Sequence, residues 1–528
     1  MDSNKIAVIV SHPIGSHASS TMATVADLEC PEGFHVDVIE IFDAVSTAAA
    51  YNEGMRSSDA KYKIYIRDGC RILRFDILRE VISVFQSNPL IGILGTSGTK
   101  SIPTDALCLN SGRRIGQVHR GKSGEKNAGL QITDPYTTVM AVDPYFIATQ
   151  YDIPWREDLF RGDCFWETAQ CMEFKRKGYH AAVIGYPFAS VEVPSDDYDW
   201  TPSDQAIFLD EYSGDIYPLV SIIIPTYNRP RYFQEALESV LRQTYRNLDI
   251  FITDDSDNTL TKELIQPYLE RDNRITYEYH PGIGAEGNWE NAMAYDHPDA
   301  QYVNWLMDDD LFHTNKISKM MNFFLEQDGL SLVTSYRQLI DGEGDPLPDI
   351  DATKPICEKD TRFSGESIGK ALLESGLNFI GELSTVLFRK DCLKDHRLGW
   401  TGQEGKYLVP DFPVWLQLLT KGDMFYIREP LSCFRSHDGN SGNDIRNLTA
   451  VQIGFGLELR YAWENRIFLT DAVSYETAIL SWMQEMAVCF YQAKEQGLVY
   501  PDLDVLAQQG IRFLEDLRNC LRNGAALS

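Results

Sequence analysis

Apolar positions along the chain follow two periods. Short strand-like stretches rich in β-branched residues, IAVIV (6–10), VDVIEIF (36–42) and IGILG (91–95), alternate with helix-period segments, and VSIIIP (220–225), LDIFITDD (248–255) and VNWLM (303–307) repeat the layout further on. Such runs predict mostly parallel strands joined by helices, an α/β architecture. Beyond Asn447 the spacing turns wholly helical, in YETAILSWMQEMAVCFYQAKEQG (475–497) and DVLAQQGIRFLEDLRNCLRN (504–523). This predicts a helical region over 446–528 that packs on the preceding domain or on a partner chain. The polar stretch PSDDYDWTPSDQ (194–205) interrupts the pattern and predicts a linker over 196–218, between domains at 1–195 and 219–445.

The two halves also look alike. AYNEGM followed by AKYKIYIRDGC (50–70) parallels WENAMA followed by AQYVNWLMDDD (289–310), with Tyr62 and Asp68 spaced as Tyr302 and Asp308 are. Two copies of one fold account for a length of 528 residues, which exceeds what one core usually serves.

Composition narrows the function. With Asp+Glu 77 against Lys+Arg 48 and a net charge of −29, an electrostatic nucleic-acid or anionic-membrane surface is excluded as the main business of the chain. The ten cysteines include no CxxC pair, so zinc is not indicated and reduced thiols are expected. The opening apolar run is too short for a signal peptide and no run reaches membrane-spanning length, so a cytoplasmic protein without a transmembrane segment is expected.

The chemistry concentrates at strand ends, where ligands gather in open α/β sheets. These ends carry Thr226, Tyr227 and Asn228, then Asp254 and Asp255, then Asp308, Asp309 and Asp310. Three adjacent carboxylates repel and call for a cation, unless the run is a solvated acidic loop. A Walker B assignment has a letter-perfect partner in GQVHRGKS (116–123). Gly124, Gly129 and Pro135, however, leave no helix N-terminus behind it to hold phosphate, and it sits in the other half of the chain.

PTYNR, SVLRQTY, DDS, GNWENAM, the aspartate run, VPDFPVW and FRSHDGNS occur in one order across about Leu219 to Asn443, and this region resembles the family 2 glycosyltransferases with the GT-A fold. The resemblance implies a metal-dependent, inverting transfer of a hexose from a UDP-sugar to a glycan, glycoprotein or lipid-linked acceptor, with Mn²⁺ or Mg²⁺ as cofactor. In that reading Pro225, Thr226, Tyr227, Asn228, Arg229, Asp254, Asp255 and Asp308 line the nucleotide pocket. Asp308, Asp309, Asp310 and His437 are the metal candidates, with Asp309 preferred. Asp411 takes the place of the catalytic base, although Pro410 replaces the usual acid before it, and a helix N-cap is the ordinary alternative. Capping is likewise the alternative for Asp255 and Ser256. Glu382 and Ser384 are acceptor-side candidates. Trp289 and Trp305 could stack on a base or sugar, with core packing the simpler role.

The first 195 residues resemble a second, degenerate GT-A-like domain of the streptomycin-biosynthesis (StrF-like) type, through AYNEGM, YKIYI, GILGTSG and AVDPYFIATQYDIPWREDLF. Asp68-Gly69-Cys70 stands where the other half has three acids, a poor site for a hard metal. Counted back from Gly178 and Gly422, Glu167 falls where Asp411 falls. The expectation is a domain that has lost or weakened catalysis and serves acceptor binding or assembly, homo-oligomerisation included. The alternatives are a bifunctional chain with two active domains and a silent nucleotide-sugar-binding scaffold.

Overall fold

The structure is a computed structural model of the chain. It describes residues 1–12, 20–120, 126–128, 134–162, 164–186, 190–193, 200–393, 411–437 and 444–525. The chain divides into two compact units, Met1–Tyr217 and Pro218–Ser528.

The second unit is built on a nine-stranded mixed sheet. Strand Leu219–Thr226 lies between Leu248–Asp254 and Ala300–Trp305, parallel to both, and Ile275–Tyr279 extends the parallel edge. On the other side Leu387–Arg389 runs antiparallel to Ala300–Trp305 and to Leu330–Ile340, which pairs in parallel with Asp423–Arg435. Strands Leu219–Thr226 and Leu248–Asp254 are buried along most of their length on both faces, so they read as largely apolar runs, whereas Ala300–Trp305 is buried only at its first and over its last three residues. Helix Pro230–Leu241 starts with proline at its first turn, where the missing N–H costs nothing, and buries Phe233, Ala236, Leu237 and Val240 at helical spacing.

The first unit repeats this order. Strand Asp2–Ser11 lies between His35–Ile41 and Ala60–Arg67, parallel to both. Phe146–Thr149 is antiparallel to Ala60–Arg67 and to Ile91–Gly95, and Ile91–Gly95 pairs in parallel with His180–Ile184. Six strands therefore correspond in order and sense, and the repeat seen in the sequence is a repeat of topology. Helix Trp166–Arg176 precedes the last of these strands as Asp411–Leu419 precedes Asp423–Arg435. A smaller second sheet includes Ser97–Thr99 and Arg114–Arg120. Gly116 lies inside that second strand, and 121–123 of the GxxxxGKS match fall outside the described residues.

Two expectations about the layout change. The sheets are mixed rather than mostly parallel, because Phe146–Thr149 and Leu387–Arg389 run against their neighbours. Within the stretch expected as a linker, 196–218, residues Pro202–Ile216 form a helix capped by Thr201, whose Oγ1 accepts from Asp204 N, and this helix buries Phe208 and Tyr212 in the first unit.

The helices beyond residue 444 belong to the second unit's core. Ile445–Glu464, Ala472–Glu495 and Pro501–Ala525 bring Phe455, Leu459, Trp482 and Phe513 into one apolar cluster with Leu372, Val414 and Trp415. Trp482 is fully buried, and its Nε1 donates to Gln452 O at 2.8 Å. Trp482→Ala removes a large core side chain and strands a buried carbonyl, and should cost about 3–5 kcal/mol. Denaturant titration followed by far-UV circular dichroism checks this: the whole unit's transition should move, whereas a separately folded tail would leave it in place.

Candidate functional site

The sequence turns sharply where the first central strand ends. Asn228 takes a left-handed conformation (φ 52°), which asparagine tolerates better than most residues. Its N–H donates to Ser256 Oγ at 2.8 Å, and its Oδ1 accepts from Asn258 at 2.5 Å. Arg229 follows directly and aims its guanidinium at the third strand's end, where Nη1 lies 3.1 Å from Asp308 Oδ1 and 3.0 Å from Asp309 Oδ2.

The three aspartates, all buried, have three different environments. Asp308 also accepts from Thr226 Oγ1 (2.9 Å) and Tyr227 N (3.3 Å). Burial and Asp309 push its carboxyl up to about 6, against Arg229 and these two donors. Asp309 is shared between Arg229 and His437, whose Nε2 is 3.0 Å from Oδ2. Asp310 does not join them: its Oδ1 accepts from Arg435 N at 3.0 Å and its carboxyl bonds Ser384. Burial, then Asp309, drives its pKa well up. Arg435, fully buried, ties the cluster's back together by donating to Asp309 O (2.7 Å) and Gly342 O (3.0 Å) and pairing with Glu235 (2.7 Å). Tyr232 packs under that guanidinium at 4.7 Å and beside the His437 ring at 5.1 Å.

The second strand's acids are held tightly. Asp254 accepts from Ser256 N (2.9 Å) and Tyr277 Oη (2.6 Å). Asp255 accepts from Asn288 Nδ2 at 2.7 Å, and burial raises its pKa. Pro225 sits in the strand, opposite Thr253, and makes no polar side-chain contact. Tyr227 is half exposed, with its hydroxyl 3.5 Å from Asp257. Trp289 and Trp305 stack on each other at 5.3 Å within the core.

A second group of charges surrounds Asp411, the first residue of helix Asp411–Leu419. Burial and the Glu382 carboxylate push its pKa up to about 7, while Arg337 opposes them. Arg337 is itself buried and pairs with Glu382 at 2.6 Å. Glu382 acts electrostatically on both Asp310 and Asp411 and so links the two groups. Ser384 binds Met307 N at 3.0 Å besides Asp310, which makes the Glu382–Ser384 segment a support for the aspartate turn. The helix is fixed behind by Gly422: a Cβ there would come 2.6 Å from Gly329 O. Pro410, Val409 and residues 438–443 lie outside the described residues.

Asp308, Asp309, Arg229, Thr226, Tyr227 and His437 are thus brought together, whereas Asp310 faces the interior. Sequence reasoning passed over Arg435, Arg337, Tyr277 and Asn288. Arg435 and Asn288 do lie within the motifs FRSHDGNS and GNWENAM. Among the described residues no group of three or more His, Cys, Asp or Glu side chains is placed to hold a metal ion. Asp309 and His437 offer an oxygen and a nitrogen donor on one side of the turn. That fits a divalent ion carried partly by a ligand's phosphates, since such ions commonly take only one or two protein carboxylates.

Comparison with known proteins yields consistent matches. Residues 7–215 match the model described as "Glycosyltransferase like family", and residues 221–391 match "Glycosyl transferase family 2". A glycosyltransferase of Rickettsia typhi, itself uncharacterised, is 30% identical over 240 residues, 44% of this chain and 68% of that one. The GalNAc(5)-diNAcBac-PP-undecaprenol beta-1,3-glucosyltransferase of Campylobacter jejuni is 26% identical over 287 residues, 54% of this chain and 86% of that one. Among solved structures, S. aureus TarS 1–349 with UDP-GlcNAc aligns with a TM-score of 0.37 at 13% identity, over 58% of this chain and 92% of that one.

Asp310→Ala should lower stability by about 1–3 kcal/mol for each buried donor left unpaired, those of Arg435 N and Ser384. Asp310→Asn, which keeps an acceptor for Arg435, should lose less. Urea denaturation of the three proteins checks the order.

Proposed function

The chain belongs to glycosyltransferase family 2, and we propose that its second unit is a metal-dependent, inverting transferase that moves a hexose from a UDP-sugar to a glycan, glycoprotein or lipid-linked acceptor. The observation that carries this reading is the carboxylate pair Asp308–Asp309. It sits at the carboxyl end of the central strands with Arg229 and His437 on it, while a separate acid, Asp411, is held near neutrality. The Campylobacter relative is named for glucosyl transfer to an undecaprenyl-diphosphate-linked glycan, which supports a lipid-linked acceptor.

In this mechanism Thr226, Tyr227, Arg229, Asp254, Asp255 and Asp308 bind and orient the nucleotide, with the half-exposed Tyr227 ring available to the base. Asp309 and His437 would hold Mn²⁺ or Mg²⁺, which when bound neutralises charge on the diphosphate leaving group. Arg229 lies beside both carboxylates and places a permanent positive charge at the same point. Asp411 accepts the acceptor hydroxyl's proton on the opposite side, and the Glu382–Arg337 pair sets its basicity. The first unit serves acceptor binding or assembly rather than transfer, and the helices beyond residue 444 build the second unit's core.

Release of UDP from a panel of UDP-sugars, with Mn²⁺ and with chelator, tests the reading. Native protein should release UDP only with metal, and Asp309→Ala should lose about 10²–10³-fold; equal rates in native and variant would refute it. The pH profile follows from Asp411. Below about 7 the carboxyl is protonated and cannot accept a proton, so kcat/KM should climb with pH to a plateau above that value. Asp411→Asn should abolish the climb together with at least about 10² of the rate, as read by initial rates at saturating metal.

A further inference from the structure

The first unit holds a cavity of about 180 Å³, roughly ten times what one water needs, lined among others by Cys108, Asn110, Asp143, Glu167, Thr168 and Trp200. Glu167 stands in the first turn of helix Trp166–Arg176 and is 7% exposed, and its Oε2 has no hydrogen-bond partner among the described residues. A buried polar atom left unpaired costs free energy that a ligand's hydrogen bond would recover. Burial, then the nearby Asp143 carboxylate, pushes the Glu167 carboxyl up to about 8, against its own backbone N–H and the Arg67 charge, so it can donate as well as accept.

The remaining charge is already spent. Asp143 is held by Arg114 and by Ser97 Oγ, and Arg114 also donates to Cys108 O at 3.1 Å. Thr168 Oγ1 and Cys108 Sγ lie 3.5 Å apart. No Lys, Arg or His side chain lines the cavity among the described residues, so a diphosphate would find no counter-charge. Trp200, 39% exposed, offers a flat apolar face at the same opening. Neutral hydrogen-bonding groups beside an exposed indole suit a ligand with many hydroxyls and one apolar face.

We propose that this cavity is a second, metal-free site that binds one uncharged sugar unit, with Glu167 hydrogen-bonding a hydroxyl and Trp200 covering the ring's apolar face. It goes beyond the transfer assigned to the second unit and stands whether or not that unit is active. Glu167 lies in the first turn of the helix that corresponds in chain order to the one Asp411 begins, so the two acids stand at like places in the repeat.

The test is saturation-transfer NMR on the full chain in chelator, with methyl β-glucoside, methyl β-galactoside and methyl N-acetyl-β-glucosaminide as probes and UDP as the anionic competitor. At least one glycoside should bind saturably. Glu167→Leu and Trp200→Ala should each weaken it by about tenfold, Glu167→Gln should hold it within a few-fold, and Asp309→Ala should leave it unchanged. Circular dichroism confirms folding, and if Glu167→Leu fails to fold, Trp200→Ala at the exposed position decides. No saturable glycoside, binding that survives Trp200→Ala, or displacement of the glycoside by UDP would each overturn the proposal.

Discussion

The ion pairing of Arg229 with Asp308 and Asp309 is the constraint around which the second unit's working end is arranged. Two unit charges about 4 Å apart at an effective dielectric near 20 interact by about 4 kcal/mol. Three adjacent buried carboxylates therefore cannot all stay ionised without compensation. The structure distributes the load. Arg229 serves two acids, His437 reinforces one, and Asp310 is turned inward onto Arg435 N and Ser384. Everything nearby keeps this in place: the left-handed turn at Asn228, the fully buried Arg435, and Tyr232 packed under it.

The same sheet order occurs in the first unit, but its strand end is relaxed. There Asp68 has His12 Nδ1 at 3.4 Å, and Gly69 and Cys70 follow in place of further acids. Cys70 is buried, and burial pushes its thiol up to about 12, far from a ligand's thiolate. The helix acid survives in both copies, Glu167 and Asp411, each desolvated and each shifted toward neutrality. One strand order therefore carries two electrostatic arrangements, a charge-paired carboxylate cluster in the second unit and a single acid followed by glycine and cysteine in the first.

Much of this was legible in the chain itself. Strands Leu219–Thr226 and Leu248–Asp254 announce themselves as largely apolar runs because they are buried on both faces; Asp254 is the last residue of its strand, and Asp308 follows closely after Ala300–Trp305. What local pattern could not convey was pairing at long range. Arg435 and Glu235 are 200 residues apart, and Arg337 and Glu382 meet only because their segments pack together. Nor does adjacency reveal direction. Asp308, Asp309 and Asp310 are equivalent as letters, and the turn in which Asp310 N bonds Met307 O sends the third one inward. The helix Pro202–Ile216 hid behind its acidic face, since only Phe208, Tyr212 and Ser213 of its fifteen residues are buried.

The most direct test of the cluster's role is Mn²⁺ binding followed by electron paramagnetic resonance, with and without UDP, in native protein and Asp309→Ala. If Asp309 and His437 form a part-site that a diphosphate completes, native protein should bind Mn²⁺ much more tightly with UDP present, and the variant should lose that gain. Equal Mn²⁺ affinity in the variant, or an affinity indifferent to UDP, would contradict the assignment.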